Sequence, residues 1–328
     1  LVVLEMLRRL RHSMTLRISG NHSKSHRFSR RCMWFGSLVA GTAAIAFGLS
    51  SPSALAADPF RTDNQHEIGD KTEAAFEAIF KYGNYTEARE YLQQAEESEA
   101  NEPMVHAMLA SMAYLNEDWD ELKTRAELTR STGENLIEVD PLRGHLYTAV
   151  GHFLEGAHTV TTQGIARGTP TALRKLQKVF SHFNQAEKIS EDDPELSLIK
   201  GYMDLLLAVN LPFSDPAEAI SQLNTHGSPD YIAQRGIALG YRDLGQYTNA
   251  LEAVDLAIEE APNNPELYYL KAQIYAIDDR DSESLELYSR TLEYAEQLPE
   301  RLVQRIRFEH CLVEGNPGPT CSERVGYD

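Results

Sequence analysis

Histidine side chains bind metals and exchange protons near neutral pH, so their spacing is a guide to chemistry. His145 and His152 lie seven residues apart in a helical apolar pattern, which places them on one face of a helix. His158 and His182 fall in the same stretch. A helix-borne zinc site usually has histidines three or four residues apart and further ligands close by. We therefore expect His145 and His152 to line a groove or to pack; a metal site is the less favoured alternative.

The cysteines indicate a structural disulfide. Cys311 and Cys321 flank the Gly- and Pro-rich segment 312–320, which can turn the chain back on itself, and the third cysteine is Cys32. Free thiols or a metal-binding pair are the alternatives, although only His310 lies near enough in sequence to act as a further ligand. The close C-x-x-C spacing of redox motifs is absent. We predict a Cys311–Cys321 bridge that restrains the tail.

The sequence contains no recognisable catalytic motif. It has no G-x-S-x-G, no H-E-x-x-H, no P-loop and no G-x-G-x-x-G. The segment 164–170, GIARGTP, is rich in glycine but lacks the lysine of a phosphate-binding loop. We therefore predict a protein that is not an enzyme and needs no cofactor. An active site built from this segment and the nearby histidines is the minor alternative.

The first 56 residues have the three parts of a secretory signal peptide. Seven arginines and Lys24 accompany a single acid, Glu5, an apolar run spans 33–49, and residues 54–56 form an A-x-A cleavage site. The prediction is export to the periplasm, or to the thylakoid lumen in a photosynthetic cell, where disulfides persist. An uncleaved anchor is the alternative. Paired arginines before the apolar run leave the general and twin-arginine routes open.

The remaining chain is strongly acidic. Residues 1–56 hold eight of the 31 Lys and Arg and one of the 49 Asp and Glu, so residues 57–328 carry a formal charge of −25. This surplus argues against nucleic acid and against an anionic membrane as partners. We predict a protein or peptide partner, no stable membrane insertion after signal cleavage, and possible self-association.

A period of 34 residues organises the chain. Residues 231–264 and 265–298 align without gaps, and each contains two helical apolar patterns joined by a short polar turn. Small and aromatic residues recur in register: Ala238 and Ala272, Tyr241 and Tyr275, and, nearer the N-terminus, Tyr85 and Trp119. Ala250, Ala257 and Pro262 complete the pattern of the first unit, which resembles the tetratricopeptide repeat (TPR).

The resemblance implies an all-α, TPR-like superhelix of about six helical hairpins, with two expanded central units. The predicted organisation is a signal peptide over 1–56, a flexible lead over 57–68, a repeat domain over 69–298, and an end helix with a disulfide-stapled tail over 299–328. Within the third hairpin, residues 161–170 are predicted to form an inserted loop between helices at 141–160 and 172–190.

In TPR superhelices the first helix of each hairpin lines a concave groove, with side chains at i, i+3, i+7 and i+10. The resemblance therefore assigns a partner-binding groove to His145, His152, Leu198, Tyr202, Arg235, Leu239, Arg242, Tyr269 and Gln273. Such a surface suits an extended peptide or a partner's helix. The same side chains could instead pack between hairpins or pair with neighbouring acids. The predicted function is an exported protein-interaction scaffold; a transport accessory protein that oligomerises or binds a small ligand is the alternative.

Overall fold

The computed structural model describes residues 58–210 and 216–327, and the predicted signal peptide with Cys32 lies outside them. Throughout these residues the secondary structure is helical, in six consecutive hairpins followed by an end segment. The hairpins are α1 (Asp70–Phe80) with α2 (Tyr85–Ser98), α3 (Pro103–Leu115) with α4 (Trp119–Leu136), α5 (Pro141–Gln163) with α6 (Ile165–Glu187), α7 (Pro194–Asn210) with α8 (Pro216–His226), α9 (Asp230–Asp243) with α10 (Tyr247–Glu260), and α11 (Pro265–Ile277) with α12 (Asp281–Leu292). A 3₁₀ turn (Ala295–Gln297), α13 (Glu300–Val313) and α14 (Gly318–Val325) complete the chain.

The helices begin where the sequence supplies caps. The side chains of Asn84, Asp118 and Asp140 each accept a hydrogen bond from a backbone N–H in the first turn of the helix that follows. Proline occupies the first position of α3, α5 and α11, where its missing N–H costs nothing. These local signals fix where the helices begin.

Small side chains hold the two helices of a hairpin together. Ala250, Ala257 and Ala272 are completely buried, as the repeat pattern predicts. Ser284 and Thr291 occupy positions where the repeat usually has alanine, and both are also completely buried. The Ser284 hydroxyl donates to the Ala272 carbonyl at 2.8 Å, and the Thr291 hydroxyl donates to a carbonyl in its own helix. Their polar atoms are therefore satisfied inside the hairpin.

The third hairpin is expanded by long helices, so the predicted inserted loop over 161–170 is wrong. α5 and α6 have 23 residues each, and the single residue Gly164 separates them. Gly164 has φ +75°, a left-handed conformation that glycine adopts without strain and that reverses the chain at once. Pro170 lies in the second turn of α6, where its missing N–H removes one helical hydrogen bond.

The six hairpins close on themselves. The Asn264 amide donates to the Phe80 carbonyl at 2.8 Å, which joins the start of the sixth hairpin to the first. The Gln297 amide donates to the Tyr82 carbonyl at 3.3 Å, and the Thr86 hydroxyl donates to the Glu296 carbonyl at 3.1 Å. The concave face is therefore an enclosed interior rather than an open groove.

The two ends of the segment before α1 are buried, so the predicted flexible lead is wrong for residues 58–61 and for Ile68, whereas residues 62–65 are exposed. Phe60 and Ile68 are 4% and 3% exposed. The Phe60 ring meets the Phe76 ring edge-on with the centroids 5.0 Å apart. Phe76 replaces the small residue usual at its repeat position, and it supplies a surface against which the segment folds.

The C-terminal prediction is confirmed in its main point. Cys311 on α13 and Cys321 on α14 form a disulfide, with the two sulfur atoms 2.04 Å apart. The predicted end helix is present as α13. The tail is itself helical, because Pro317 and Gly318 end the turn and start α14. Among the described residues, no helix is long and apolar enough to cross a bilayer.

Candidate functional site

On its concave side the array contains an apolar cavity of about 190 Å³ that is partly open to solvent. We call it the inner cavity. The first helices of five hairpins and the segment before α1 contribute its walls. The lining residues include Phe60, Met104, Ala107, Met108, Ser111, Tyr147, Val150, Phe153, Leu198, Tyr202, Met203 and Arg235. Three methionines make this wall adaptable in shape, because the thioether side chain is unbranched and flexible.

A buried ionic network lies behind the cavity wall, where the hydroxyl of the lining residue Tyr147 donates to Glu195 at 2.7 Å. Arg61, from the segment before α1, donates to Asp193 at 2.6 Å and to Glu195 at 3.2 Å. Arg143 donates to the same Glu195 at 3.2 Å and to Glu102 at 2.8 Å. Burial opposes the charge on Arg143, but Glu195 and Glu102 outweigh it and hold the pKa of Arg143 well above its usual value. The network therefore stays charged and fixes the segment against α7.

A second network lies where the array closes. Glu266 at the start of α11 accepts from Arg235 at 2.5 Å and from the Tyr85 hydroxyl at 2.5 Å. Burial opposes the charged guanidinium, but Glu266 offsets this and raises the pKa of Arg235. The Tyr202 hydroxyl donates to the Ile232 carbonyl at 2.6 Å. The polar groups at this edge of the cavity already have partners within the chain.

Of the predicted groove residues, Leu198, Tyr202 and Arg235 line the inner cavity. Tyr202 approaches α9 closely because Gly236 has no side chain: a Cβ there would lie 2.6 Å from the Tyr202 ring. Burial raises the pKa of Tyr202 above its usual value, so the phenol stays neutral. Arg235 pairs with Glu266 inside the chain, the alternative that the sequence left open.

His145 and His152 face α6 instead of the cavity, where they meet His182. Nδ1 of His145 and Nδ1 of His182 are 3.1 Å apart, and the rings of His152 and His182 are 5.9 Å apart. Burial lowers the pKa of both His145 and His182, and the two neighbouring histidines lower that of His182 further. Burial opposes ionisation of Glu155, but hydrogen bonds from His152, Lys175 and Arg130 lower its pKa to about 2. Over residues 58–210 and 216–327, no group of three or more His, Cys, Asp or Glu is placed to hold a metal.

The last four predicted residues lie on α9 and α11, and none of them lines the inner cavity. Arg242 donates to Gln273 at 2.7 Å, and Gln273 donates to Glu309 of α13 at 2.8 Å. The Tyr269 ring contacts the Tyr288 ring of α12 at a tilt of 53°, with the centroids 6.0 Å apart, and Leu239 is buried. The predicted residues therefore fall into three groups. Leu198, Tyr202 and Arg235 line the cavity, the two histidines face α6, and the other four lie on α9 and α11.

The sequence prediction missed the cavity residues of the first two hairpins. In α3 the spacing i, i+3, i+7, counted from the residue after Pro103, selects Met104, Ala107 and Ser111. All three line the cavity. The same rule was therefore available for α3. Phe60 carries no such signal, because the segment that holds it is not periodic.

The lining of the cavity suits an apolar occupant. Its walls are chiefly aromatic, aliphatic and thioether groups, and its polar edge is engaged in the two networks. An apolar side chain or a small apolar molecule suits such a site, since neither leaves a buried polar group unpaired.

Comparisons with known proteins add little beyond the architecture. No protein-family model matches the chain, and no curated protein matches it in sequence. Among solved structures, it is similar to the crystal structure of PilW, described as a widely conserved type IV pilus biogenesis factor. The match has a TM-score of 0.42 and 15% sequence identity, and it covers 68% of this chain and 90% of the other. Residues 58–210 and 216–327 form an all-helical, TPR-like array of six hairpins.

Proposed function

We propose that this protein is an exported, non-enzymatic helical-repeat scaffold that binds a protein partner by seating one of the partner's apolar side chains in the inner cavity. The observation that carries the proposal is the cavity itself, an apolar space on the face that repeat arrays use for binding. Aromatic and aliphatic anchors in pockets dominate the affinity of many protein complexes.

Because the array closes, insertion of a single apolar side chain is favoured over binding of a long extended peptide. The segment from Asp58 to Ile68 occupies part of the interior, and Glu266 links the sixth hairpin to the first. A continuous groove along all six hairpins is therefore not available. One bulky apolar residue needs only the space that the cavity provides.

A peptide library displayed on phage tests the proposal directly. Peptides selected on residues 57–328 should share an aromatic or large aliphatic residue, and they should bind about tenfold or more weakly to Ala107→Phe, which fills the cavity. Ser111→Leu fills the same space from the next turn of α3. It should weaken binding as well, so the test does not depend on the folding of a single variant. Ala100→Phe, at an exposed position, is the matched control and should bind normally. Selected peptides that bind all three variants equally would contradict the proposal.

The cavity also supports the second candidate, a transport accessory protein that binds a small apolar ligand. Its volume of about 190 Å³ exceeds the roughly 150 Å³ of an engineered apolar cavity known to bind benzene. An environment-sensitive apolar dye should then bind wild type and not Ala107→Phe. If the dye binds and no selected peptide competes with it, the small-ligand function is favoured.

Export is part of the proposal, and two observations support it. The signal-peptide pattern occupies the first 56 residues, and the Cys311–Cys321 bridge belongs to an oxidising compartment. N-terminal sequencing of the protein from a cell-envelope fraction should give a chain that begins near Ala57. A mature chain that retains the apolar run from 33 to 49 would contradict cleavage.

A further inference from the structure

A long stretch of the third hairpin contains no acidic residue. Between Glu155 and Glu187 neither Asp nor Glu occurs, although Asp and Glu number 49 in the whole sequence. The same stretch holds Arg167, Arg174, Lys175 and Lys178. Helix α6 therefore makes a basic surface on a strongly acidic protein.

Three of these cations form one line on the outer face of α6. Arg167, Arg174 and Lys178 follow the spacing i, i+7, i+11, which returns to nearly the same angle around a helix. All three are exposed, and the line extends for about 16 Å at the 1.5 Å rise of an α-helix. We call these three residues the α6 stripe.

The stripe lacks carboxylate partners among the described residues. Arg174 donates to the Thr171 hydroxyl, and within residues 58–210 and 216–327 no ion pair forms at Arg167, Arg174 or Lys178. By contrast Lys175, which points towards α5, pairs with Glu155, and cations elsewhere are commonly paired, as Arg305 is with Glu309. The positive charge of the stripe is therefore available to a partner.

We propose that the α6 stripe docks an acidic segment of a partner protein, independently of the inner cavity. Opposite charges placed along one line steer such a segment and set its register. Arginine adds bidentate geometry towards carboxylates, which favours Asp and Glu side chains as the recognised groups. The stripe lies on the second helix of its hairpin, whereas the cavity is lined by first helices, so both sites can be occupied together.

The surroundings favour a protein segment over an anionic membrane. Residues 57–328 carry a formal charge of −25, so an anionic bilayer would repel the protein as a whole and oppose binding through α6. Val179, Phe183 and Ala186 are buried against the fold, and the exposed Leu173 is one side chain and not an apolar face of the kind that inserts into a membrane. A narrow acidic segment of a partner protein can contact the α6 stripe alone.

The same face is poorly suited to single-stranded nucleic acid. Such binding combines basic side chains with aromatic platforms on which bases stack. The exposed positions of α6 between Ala166 and Gln185 carry no aromatic residue. Carboxylates therefore remain the anions that fit the stripe.

Binding of a fluorescein-labelled glutamate-rich peptide, followed by anisotropy at low ionic strength, tests the proposal. Wild type should bind, and the triple variant R167E/R174E/K178E should bind about tenfold or more weakly. The matched control R89E/K123E/R307E makes the same change in net charge at three exposed, unpaired cations on other helices, and it should bind within about twofold of wild type. Added salt should weaken wild-type binding steeply.

Three outcomes would overturn the proposal. They are equal loss of binding in both triple variants, no binding by wild type, and tighter stripe-dependent binding to phosphatidylserine vesicles or to a thymidine oligonucleotide than to the peptide. Circular dichroism checks that both variants fold. Because Ala107→Phe leaves the stripe unchanged, it should bind the acidic peptide normally, which separates this test from that of the cavity.

Discussion

Tyr85 and Glu266 are 181 residues apart in sequence, and the Tyr85 hydroxyl donates to the Glu266 carboxylate at 2.5 Å. Tyr85 begins the second helix of the first hairpin, and Glu266 lies in the first turn of the sixth. Arg235 of the fifth hairpin donates to the other oxygen of the same carboxylate at 2.5 Å. One buried acid therefore ties three hairpins together and encloses the inner cavity.

Glu266→Gln should destabilise the protein by about 3 kcal/mol, because it leaves the buried Arg235 without a counter-charge. Tyr85→Phe, which removes only one hydrogen bond, should cost about 1 kcal/mol. Urea unfolding measures both. The single variant R235M completes a double-mutant cycle with Glu266→Gln. In R235M/E266Q the loss should be smaller than the sum of the losses in R235M and E266Q, since no unpaired charge remains. Additive losses would show that the ion pair contributes little to closure.

Phe60→Ala should cost about 3–5 kcal/mol, the usual loss for a buried aromatic residue. Phe60 packs on Phe76 and lines the cavity, so its removal loosens the segment before α1 and enlarges the interior. Thermal unfolding checks the stability. Thr62→Ala, at an exposed site in the same segment, is the control and should change little. A Phe60→Ala protein as stable as wild type would show that this segment does not belong to the core.

The histidines between α5 and α6 predict a loss of stability in mild acid. Burial lowers the pKa of His145 and His182 in the folded protein, whereas an unfolded histidine titrates near 6.5. As the pH falls through about 6.5, the unfolded chain takes up protons that the folded chain does not, so the free energy of unfolding decreases. Urea midpoints at about pH 7.5 and about pH 5.5 should differ for wild type and differ less for His182→Asn.

Glu155 affects the free energy of unfolding in a lower pH range than the histidines do. Its folded pKa of about 2 lies below the usual value, so its contribution is present above about pH 4.5 and is lost only as the pH falls towards 2. The loss of stability between pH 7.5 and 5.5 should therefore be unchanged in Glu155→Gln. An equal effect of His182→Asn and Glu155→Gln in that range would contradict the assignment to the histidines.

The disulfide should act locally. The bridge joins α13 to the short helix α14, and Cys321 is the single buried residue of α14. In C311S/C321S, hydrogen exchange at the α14 amides should become fast, whereas the amides of α9 to α12 should keep their protection. Loss of protection throughout the array would show that the tail stabilises the whole fold.

The sequence predicts the hairpins well because each is a local event. Alanine at the tight crossings, proline at the helix starts and polar turns are visible within a single 34-residue unit, as between 231 and 264. Closure of the array depends instead on small angles that accumulate over six hairpins. The residues around Glu266 in the sequence do not indicate that its hydrogen-bond partner is Tyr85, 181 residues away.

The candidate site was predictable only in part for the same reason. Leu198 and Tyr202 follow a helical stripe that a sequence shows directly. On the longer α5 the cavity faces Tyr147, Val150 and Phe153, and the stripe through His145 turns towards α6. The expanded third hairpin thus has a different rotational register, which the repeat pattern does not contain.

The most direct test of the inner cavity uses the methionines. Residues 57–328 contain four: Met104, Met108, Met112 and Met203. Three of them line the cavity and Met112, on the same helix as two of them, does not. In a protein labelled with ¹³C at the methionine methyl groups, a peptide selected by display should shift the signals of Met104, Met108 and Met203 and leave that of Met112 unchanged. A peptide that binds without moving those three signals would place the binding site elsewhere and contradict the account.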